Sequence, residues 1–384
     1  MPTVADELRV IQTELNSRFF ERSEAIEGLM LAALTAQHCF ILGPPGTAKS
    51  QLVRDFTSRF TGARYFEQLL SKNRPDAAVL GPYDLTRLRD HSEFVRKDSG
   101  FLTDCDFAFL DEIGKTSATL GHDLLAALNE RLKHEVNAGR SAQPIPLHSA
   151  FTASNELPAA ESEDMAALWD RLLVRVEVDY VRADANFREL MEQPTLPVAK
   201  THVPFEDLKT AAKDVSEVMV MPDLLDGVLV IRNNMRKAGL SVSDRRWRAS
   251  IQLIRASAYL AGREIAELED LSVLRFSLWD DLTEAKKINH IILAVANPAA
   301  EEALDLLDGA HAIAAEMNSR SGESKEAVTK YLPEAMGKLK RIHRLAEKLP
   351  ANTPKRAEIF ALEAEIRKIG AALLGFTNDE MEEG

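Results

Sequence analysis

At 384 residues the chain is too long for one compact core, and its length predicts two or three domains. A net charge of −13 argues against a general duplex-binding protein, which needs a local surplus of Lys and Arg. With 45% apolar, 28% charged and only 6% aromatic residues, the composition fits a helix-heavy α/β chain rather than an aromatic-rich β-sandwich.

In chain order, apolar residues recur at helical spacing over 4–19 and 22–36, and the run His38-Cys39-Phe40-Ile41-Leu42-Gly43 then reads as a buried parallel strand. Four further strand-like runs follow at 63–69, 107–113, 149–154 and 172–180, with helical patterns between them at 48–60 and 116–131. Strands alternating with helices predict a parallel sheet covered on both faces. Pro194, Pro197 and Pro204 interrupt any regular pattern, so a linker is expected over 191–221, after a first domain at 1–190. Amphipathic segments at 222–237, 244–262 and 268–282 predict a small helical domain over 222–296. Beyond Asn297-Pro298, helical segments at 299–317, 324–349 and 353–374 form an extension over 297–384 that ends in the acidic run 379–383.

Gly43-Pro44-Pro45-Gly46-Thr47-Ala48-Lys49-Ser50 lies where a buried strand gives way to a helix, the context that a phosphate-binding loop requires. Glycines let the backbone curl its N–H groups inward, and the new helix adds the partial positive charge of its N-terminus. Lys49 is expected to reach the β- and γ-phosphates of ATP, and the Ser50 hydroxyl to supply an oxygen to Mg²⁺. Ala48 stands where the usual pattern has its second glycine, which is harmless if that residue has helical dihedrals.

About sixty residues on, the apolar run Phe107-Ala108-Phe109-Leu110 ends in Asp111 and Glu112. Asp111 is the expected Mg²⁺ partner through water, and Glu112 the group that orients or deprotonates the attacking water. The histidines lack paired metal spacing, and no Gly-x-Ser-x-Gly elbow occurs, so neither a protein zinc site nor serine-hydrolase chemistry is expected. Cys39 and Cys105 lie in or beside apolar runs without a CxxC partner and read as buried thiols. No apolar stretch approaches the ~18 residues of a membrane span, and no signal-peptide layout opens the chain, so a cytoplasmic location is expected.

These motifs resemble the MoxR group of AAA+ ATPases, most closely its RavA branch. The resemblance rests on the glycine-proline loop, on Phe109-Leu110-Asp111-Glu112-Ile113, on Leu128-Asn129-Glu130-Arg131, on Ala153-Ser154-Asn155-Glu156-Leu157-Pro158, on Asp170-Arg171-Leu172 and on Ser243-Asp244-Arg245-Arg246-Trp247. It implies a five-stranded parallel AAA+ P-loop core, a helical lid and hexameric rings with nucleotide at subunit interfaces. Position by position it implies that Asn155 senses the γ-phosphate and that Arg171 is an arginine finger offered to the next subunit. Arg245, with Arg246 as the fallback, is then the lid residue facing the nucleotide cleft and reporting nucleotide state. Two family-like inserts, near 81–101 and 134–147, make Arg96, Lys97 and Arg140 candidate contacts with a pore or target. The implied function is a ring motor that remodels or matures a client protein together with a von Willebrand A domain partner. A nucleic-acid motor and a slow nucleotide-gated scaffold are the alternatives. The helices after 297 depart from the RavA pattern, which puts the RavA partner in question.

Overall fold

The computed structural model describes residues 3–71, 73, 75–116, 118–133, 142–157, 163–192, 199–320, 325–351, 353 and 355–374. Helix α1 (Val4–Arg18) opens on a reciprocal cap in which the Asp6 N–H donates to Thr3 Oγ1 at 3.2 Å and the Thr3 N–H to Asp6 Oδ2 at 2.8 Å. Its Leu8, Ile11 and Leu15 are fully buried, and α2 (Ser23–Leu34) packs beside it. The α/β core then runs β1 (Cys39–Leu42), α3 (Lys49–Ser58), β2 (Tyr65–Leu69), β3 (Phe107–Asp111), α4 (Ala118–Asn129), β4 (Ser149–Ser154), α5 (Glu163–Arg171), β5 (Val174–Glu177) and α6 (Asp184–Glu192).

The five strands form one parallel sheet in the order β2-β3-β4-β1-β5. Side chains alternate between two apolar layers, as the pleat requires. Cys39, Ile41, Phe107, Phe109, Phe151 and Ala153 join the layer shared with α1 and α2, while Phe40, Leu42, Ala108, Leu110 and Ala150 join the layer under α4 and α5. Both cysteines are buried free thiols, and burial pushes Cys105 up to about 12.

Two sequence expectations change here. The segment expected to be a linker over 191–221 carries helix α7 (Phe205–Glu217), whose Phe205, Leu208, Ala211 and Val215 are buried in the main core. Pro204 is the N-cap of that helix, a place where proline does no harm, and Val203–Pro204 pairs in parallel with Phe60–Thr61. Residues 268–282 are also not one α-helix. Leu268, Leu271 and Leu274 repeat every third position, the period of a 3₁₀-helix, and Leu268–Phe276 adopts that form.

The lid consists of α8 (Pro222–Lys237), α9 (Asp244–Leu260), that 3₁₀ segment and α10 (Leu282–Ala296). Its Leu253, Ile254, Ala258 and Leu274 belong to the same continuous apolar cluster as Leu8 and Ile26 of the core. Three more helices, α11 (Pro298–Ser319), α12 (Lys325–Lys348) and α13 (Arg356–Leu374), pack around a separate cluster that includes Ala303, Leu307, Leu339, Ala346 and Ile366. The acidic run 379–383 lies outside the described residues. Among the described residues no helix is long and apolar enough to cross a membrane.

The first insert holds two short helices, Ala77–Leu80 and Leu85–His91, pinched by an antiparallel bridge between Tyr83 and Arg96. Arg96 serves as an internal strut rather than a free contact residue. It donates to Asp76 at 2.5 Å and to the Gly81 carbonyl at 2.9 Å, and stacks over the Tyr83 ring at 4.5 Å. Leu132–Lys133 and Gln143–Pro144 pair antiparallel at the base of the second insert, whose Arg140 lies outside the described residues.

Candidate functional site

The loop from Gly43 to Ser50 joins β1 to α3 at the carboxyl edge of the sheet. Only glycine fits at 43, because a Cβ there would stand 2.2 Å from the Val178 carbonyl oxygen. Gly46 (φ +82°) and Ala48 (φ +63°, ψ +23°) both lie in the left-handed region. Ala48 therefore does not have the helical dihedrals expected of it. It takes the conformation that a glycine would supply more cheaply, at a cost of about 1 kcal/mol. The Thr47 hydroxyl donates to the Pro44 carbonyl at 2.9 Å and holds the curl closed. Two residues that the sequence reading missed brace the loop from outside. The Tyr180 hydroxyl donates to the Pro45 carbonyl at 3.2 Å, and Arg22 Nε to the Thr47 carbonyl at 3.4 Å. Both come from chain segments remote from the motif, so only the sheet order brings them there.

Lys49, at the start of α3, is buried. Its ammonium donates to the Gly43 carbonyl (2.6 Å), the Pro44 carbonyl (2.9 Å) and Asn155 Oδ1 (2.9 Å). Burial lowers its pKa, opposed by the charges of Asp111 and Glu112. Asn155 follows β4, the strand between β1 and β3, and its Nδ2 donates to Glu112 Oε1 at 2.8 Å. Glu112, itself left-handed at φ +58°, sends its N–H to Asp111 Oδ1 at 3.0 Å. Burial and the neighbouring Glu112 raise the Asp111 carboxyl. Lys49, Asn155, Glu112 and Asp111 are thus brought together at one edge of the sheet, with Ser50 next to Lys49 on the first turn of α3. The Ser50 hydroxyl and the Asp111 carboxylate are hard oxygen donors, which suit Mg²⁺, and a nearby cation would favour the charged form of Asp111 and oppose that rise.

The two arginines lie elsewhere. Arg171 ends α5, immediately before β5, and Val174 of β5 pairs in register with Cys39, the first residue of β1. Arg171 is therefore at the amino edge, separated from the phosphate loop by the length of β1, about 13 Å at ~3.3 Å per residue. Its Nη1 lies 3.4 Å from Asp170 Oδ2, and its Nε is buried without a hydrogen-bond partner. Arg245 is exposed and donates to Asn129 Oδ1 at 2.8 Å. Asn129 ends α4, and its neighbour Leu128 accepts from His38, just ahead of β1, so this too is the amino edge. Arg245 does not face its own phosphate loop as expected. The loop is at the end of the sheet opposite to the Asn129 that holds Arg245.

Arg246, the fallback, is buried in a polar junction. It donates to Asp280 Oδ1 at 2.6 Å and lies 3.7 Å from Asp170, while the Ser243 hydroxyl donates to Asp170 Oδ1 at 3.0 Å. Arg175 of β5 is fully buried there as well. It donates to Asp280 Oδ1 at 2.7 Å, stacks on Trp169 at 3.8 Å, and is pushed down by burial to about 9. Arg246, Arg175 and Arg171 therefore share one polar corner built around Asp170 and Asp280.

A five-stranded parallel sheet of this order, a phosphate loop after its first strand, an acidic pair on a nearby strand and a helical lid define the α/β AAA+ fold. Residues 6–214 match the family described as the MoxR domain in the MoxR-vWA-beta-propeller ternary systems, and residues 223–292 match an AAA lid domain. The chain belongs to that MoxR family of AAA+ ATPases. It is 35% identical over 305 residues to an uncharacterized protein of Methanocaldococcus jannaschii, covering 79% of this chain and 78% of that one. A second uncharacterized protein of the same organism is 35% identical over 298 residues, covering 78% of each. A crystal structure of a candidate ATPase from Cytophaga hutchinsonii superposes with a TM-score of 0.58 at 15% identity, covering 76% of this chain and 95% of that one, a likeness of fold.

Proposed function

We propose that this chain hydrolyses ATP at the carboxyl-edge crevice, that a neighbouring copy completes the site, and that the work is done on a client protein. The supporting observation is the division of functional side chains between two edges of one sheet. Lys49, Asp111, Glu112 and Asn155 lie at one edge, and Arg171 and Arg245 at the other. Neither arginine reaches its own loop, so each serves a nucleotide held by the next copy. The lid arginine then acts across the interface beside the finger rather than within its own subunit. A head-to-tail contact of this kind closes into a ring when its rotation permits, and the MoxR resemblance implies six copies.

In the reaction the water oxygen bonds to the γ-phosphorus as the bond to the β–γ bridging oxygen breaks, and ADP leaves with that electron pair. Glu112 takes the water proton, Asn155 orients the γ-phosphate, and Lys49 leaves the loop carbonyls for the β- and γ-oxygens. Ser50, and Asp111 through water, would hold Mg²⁺, which would supply neutralising charge for the phosphates. Arg171 of the neighbouring copy grips the phosphoryl group with its planar fork of donors.

The family description couples MoxR with vWA and β-propeller proteins, and we take those as the partner classes. The motifs from Gly43 to Trp247 that resemble the RavA branch support extending the proposal to that branch. A cytoplasmic, chaperone-like role fits the net charge of −13 better than a role on nucleic acid. The test is a set of variants. Glu112→Gln should keep ATP binding and lose turnover, and Lys49→Ala should lose binding. Arg171→Ala and Arg245→Ala should each be inactive alone yet regain part of the activity when mixed with Lys49→Ala subunits. No recovery in the mixtures would mean that the arginines do not act across an interface.

A further inference from the structure

Glu112 Oε1 accepts from the Asn155 amide, but Oε2 is fully buried and accepts no hydrogen bond. Its compensation is electrostatic: Lys115 Nζ, three residues on, stands 3.1 Å away. The two side chains differ sharply in exposure, at 50% for Lys115 and 15% for Glu112. A buried carboxylate oxygen without a donor is costly, so the ammonium keeps the carboxylate in this rotamer. The result is a relay of alternating charge and dipole, Lys49–Asn155–Glu112–Lys115, that runs from the phosphate loop to the surface.

We propose that Lys115 is a positioning residue for hydrolysis: it holds the Glu112 carboxylate turned away from the attacking water and so restrains turnover. This rests on the reading of Glu112 as the proton acceptor. A phosphate that draws Lys49 off Asn155 frees that amide and loosens Oε1, while Oε2 stays tied to Lys115. The second hold is released when the half-exposed ammonium is drawn away, and an acidic surface on a partner is the chemistry able to do so. Lys115 sits on the 3₁₀ turn Ile113–Lys115 that follows β3, so its movement reaches Glu112 without passing through the phosphate loop.

The experiment measures steady-state ATP hydrolysis by the full chain. Lys115→Met should raise kcat about fivefold, the worth of a partly buried ion pair, with KM for ATP within about twofold of wild type. Lys115→Gln, shorter, polar and uncharged, should behave alike and covers the case in which the methionine variant folds poorly. Lys115→Arg should keep the wild-type rate, because a guanidinium preserves the pair. An unchanged or lower kcat in Lys115→Met and Lys115→Gln overturns the proposal, as does an equal rise in Lys115→Arg. Adding Glu112→Gln to Lys115→Met should abolish turnover. If Glu112→Gln alone hydrolyses ATP at the wild-type rate, it is the proton-acceptor reading that fails, separately from the Lys115 result.

Discussion

Ala48 and Glu112 flank the site in left-handed conformations that disfavour any side chain with a Cβ. At Ala48 nothing in the loop's chemistry needs the methyl group. Ala48→Gly should therefore raise the unfolding free energy by about 0.5–1 kcal/mol, the relieved strain less the extra chain entropy of glycine. Urea denaturation gives the number, and a destabilised variant would refute the strain argument. A second residue-scale effect lies under the sheet. The His38 Nδ1 accepts the Ala150 N–H at 2.9 Å while Nε2 lies 2.7 Å from the Leu128 carbonyl, which assigns a neutral ring protonated at Nε2. Burial, then the adjacent Arg131, holds its pKa well below the imidazole range. An unfolded histidine titrates near 6.5 and below that pH binds a proton the folded chain refuses, so stability falls with decreasing pH by up to about 1.4 kcal/mol per unit. His148, also lowered by burial, acts in the same direction. The urea midpoint should be lower at pH 5.5 than at 7.5, and His38→Gln should shrink that gap; an unchanged gap would exclude His38 as a source.

Between elements, the decisive contact is the corner where α5, β5, α9 and the start of α10 meet. Arg175 and Arg246 are both buried, and both donate to Asp280, to which the Trp169 indole also donates at 2.9 Å. Removing the shared carboxylate leaves two buried guanidinium groups without their main counter-charge. Asp280→Ala should therefore cost about 3 kcal/mol, against less than about 1 for a surface ion pair. A loss below about 1 kcal/mol would show that Asp170 and the carbonyls suffice. The same corner fixes Arg171 relative to the lid, so on the role proposed for Arg171 Asp280→Ala should also lower ATP turnover. Leu271 and Leu274 back the corner, since the 3₁₀ stretch buries one apolar stripe in the main core.

At the scale of the whole molecule, the lid shares the apolar layer on the α1 and α2 face of the sheet, the second layer covers that sheet's other face, and α11, α12 and α13 surround a cluster of their own. The extension meets the lid through α10 and α11, where His290 lies 3.2 Å from Asp305 across the turn. Two cooperative units follow from two separate cores. A fragment of residues 1–296 should keep its fold and its affinity for ATP, and hydrogen exchange on the full chain should resolve two protection levels. A single level, with loss of the fold on truncation, would mean the units are one. The glycine loop, the acidic strand end and the core strands were legible in the sequence because each is local: a run of apolar residues, a glycine turn and a strand end carry their own stereochemistry, whereas Asn155 was singled out only through the resemblance to the MoxR group. Helix α7 was hidden by Pro204, whose place as an N-cap cannot be told from a linker proline by composition. The left-handed Ala48 belongs to the curl of the whole loop, which the Thr47 hydroxyl closes on the Pro44 carbonyl. The edge at which Arg171 and Arg245 sit, and the partners Asp170 and Asn129 that hold them there, depend on strand order and on how the lid packs against the sheet. Those are sums of contacts between residues far apart in the chain, which no local pattern records, so only the tertiary structure decided them.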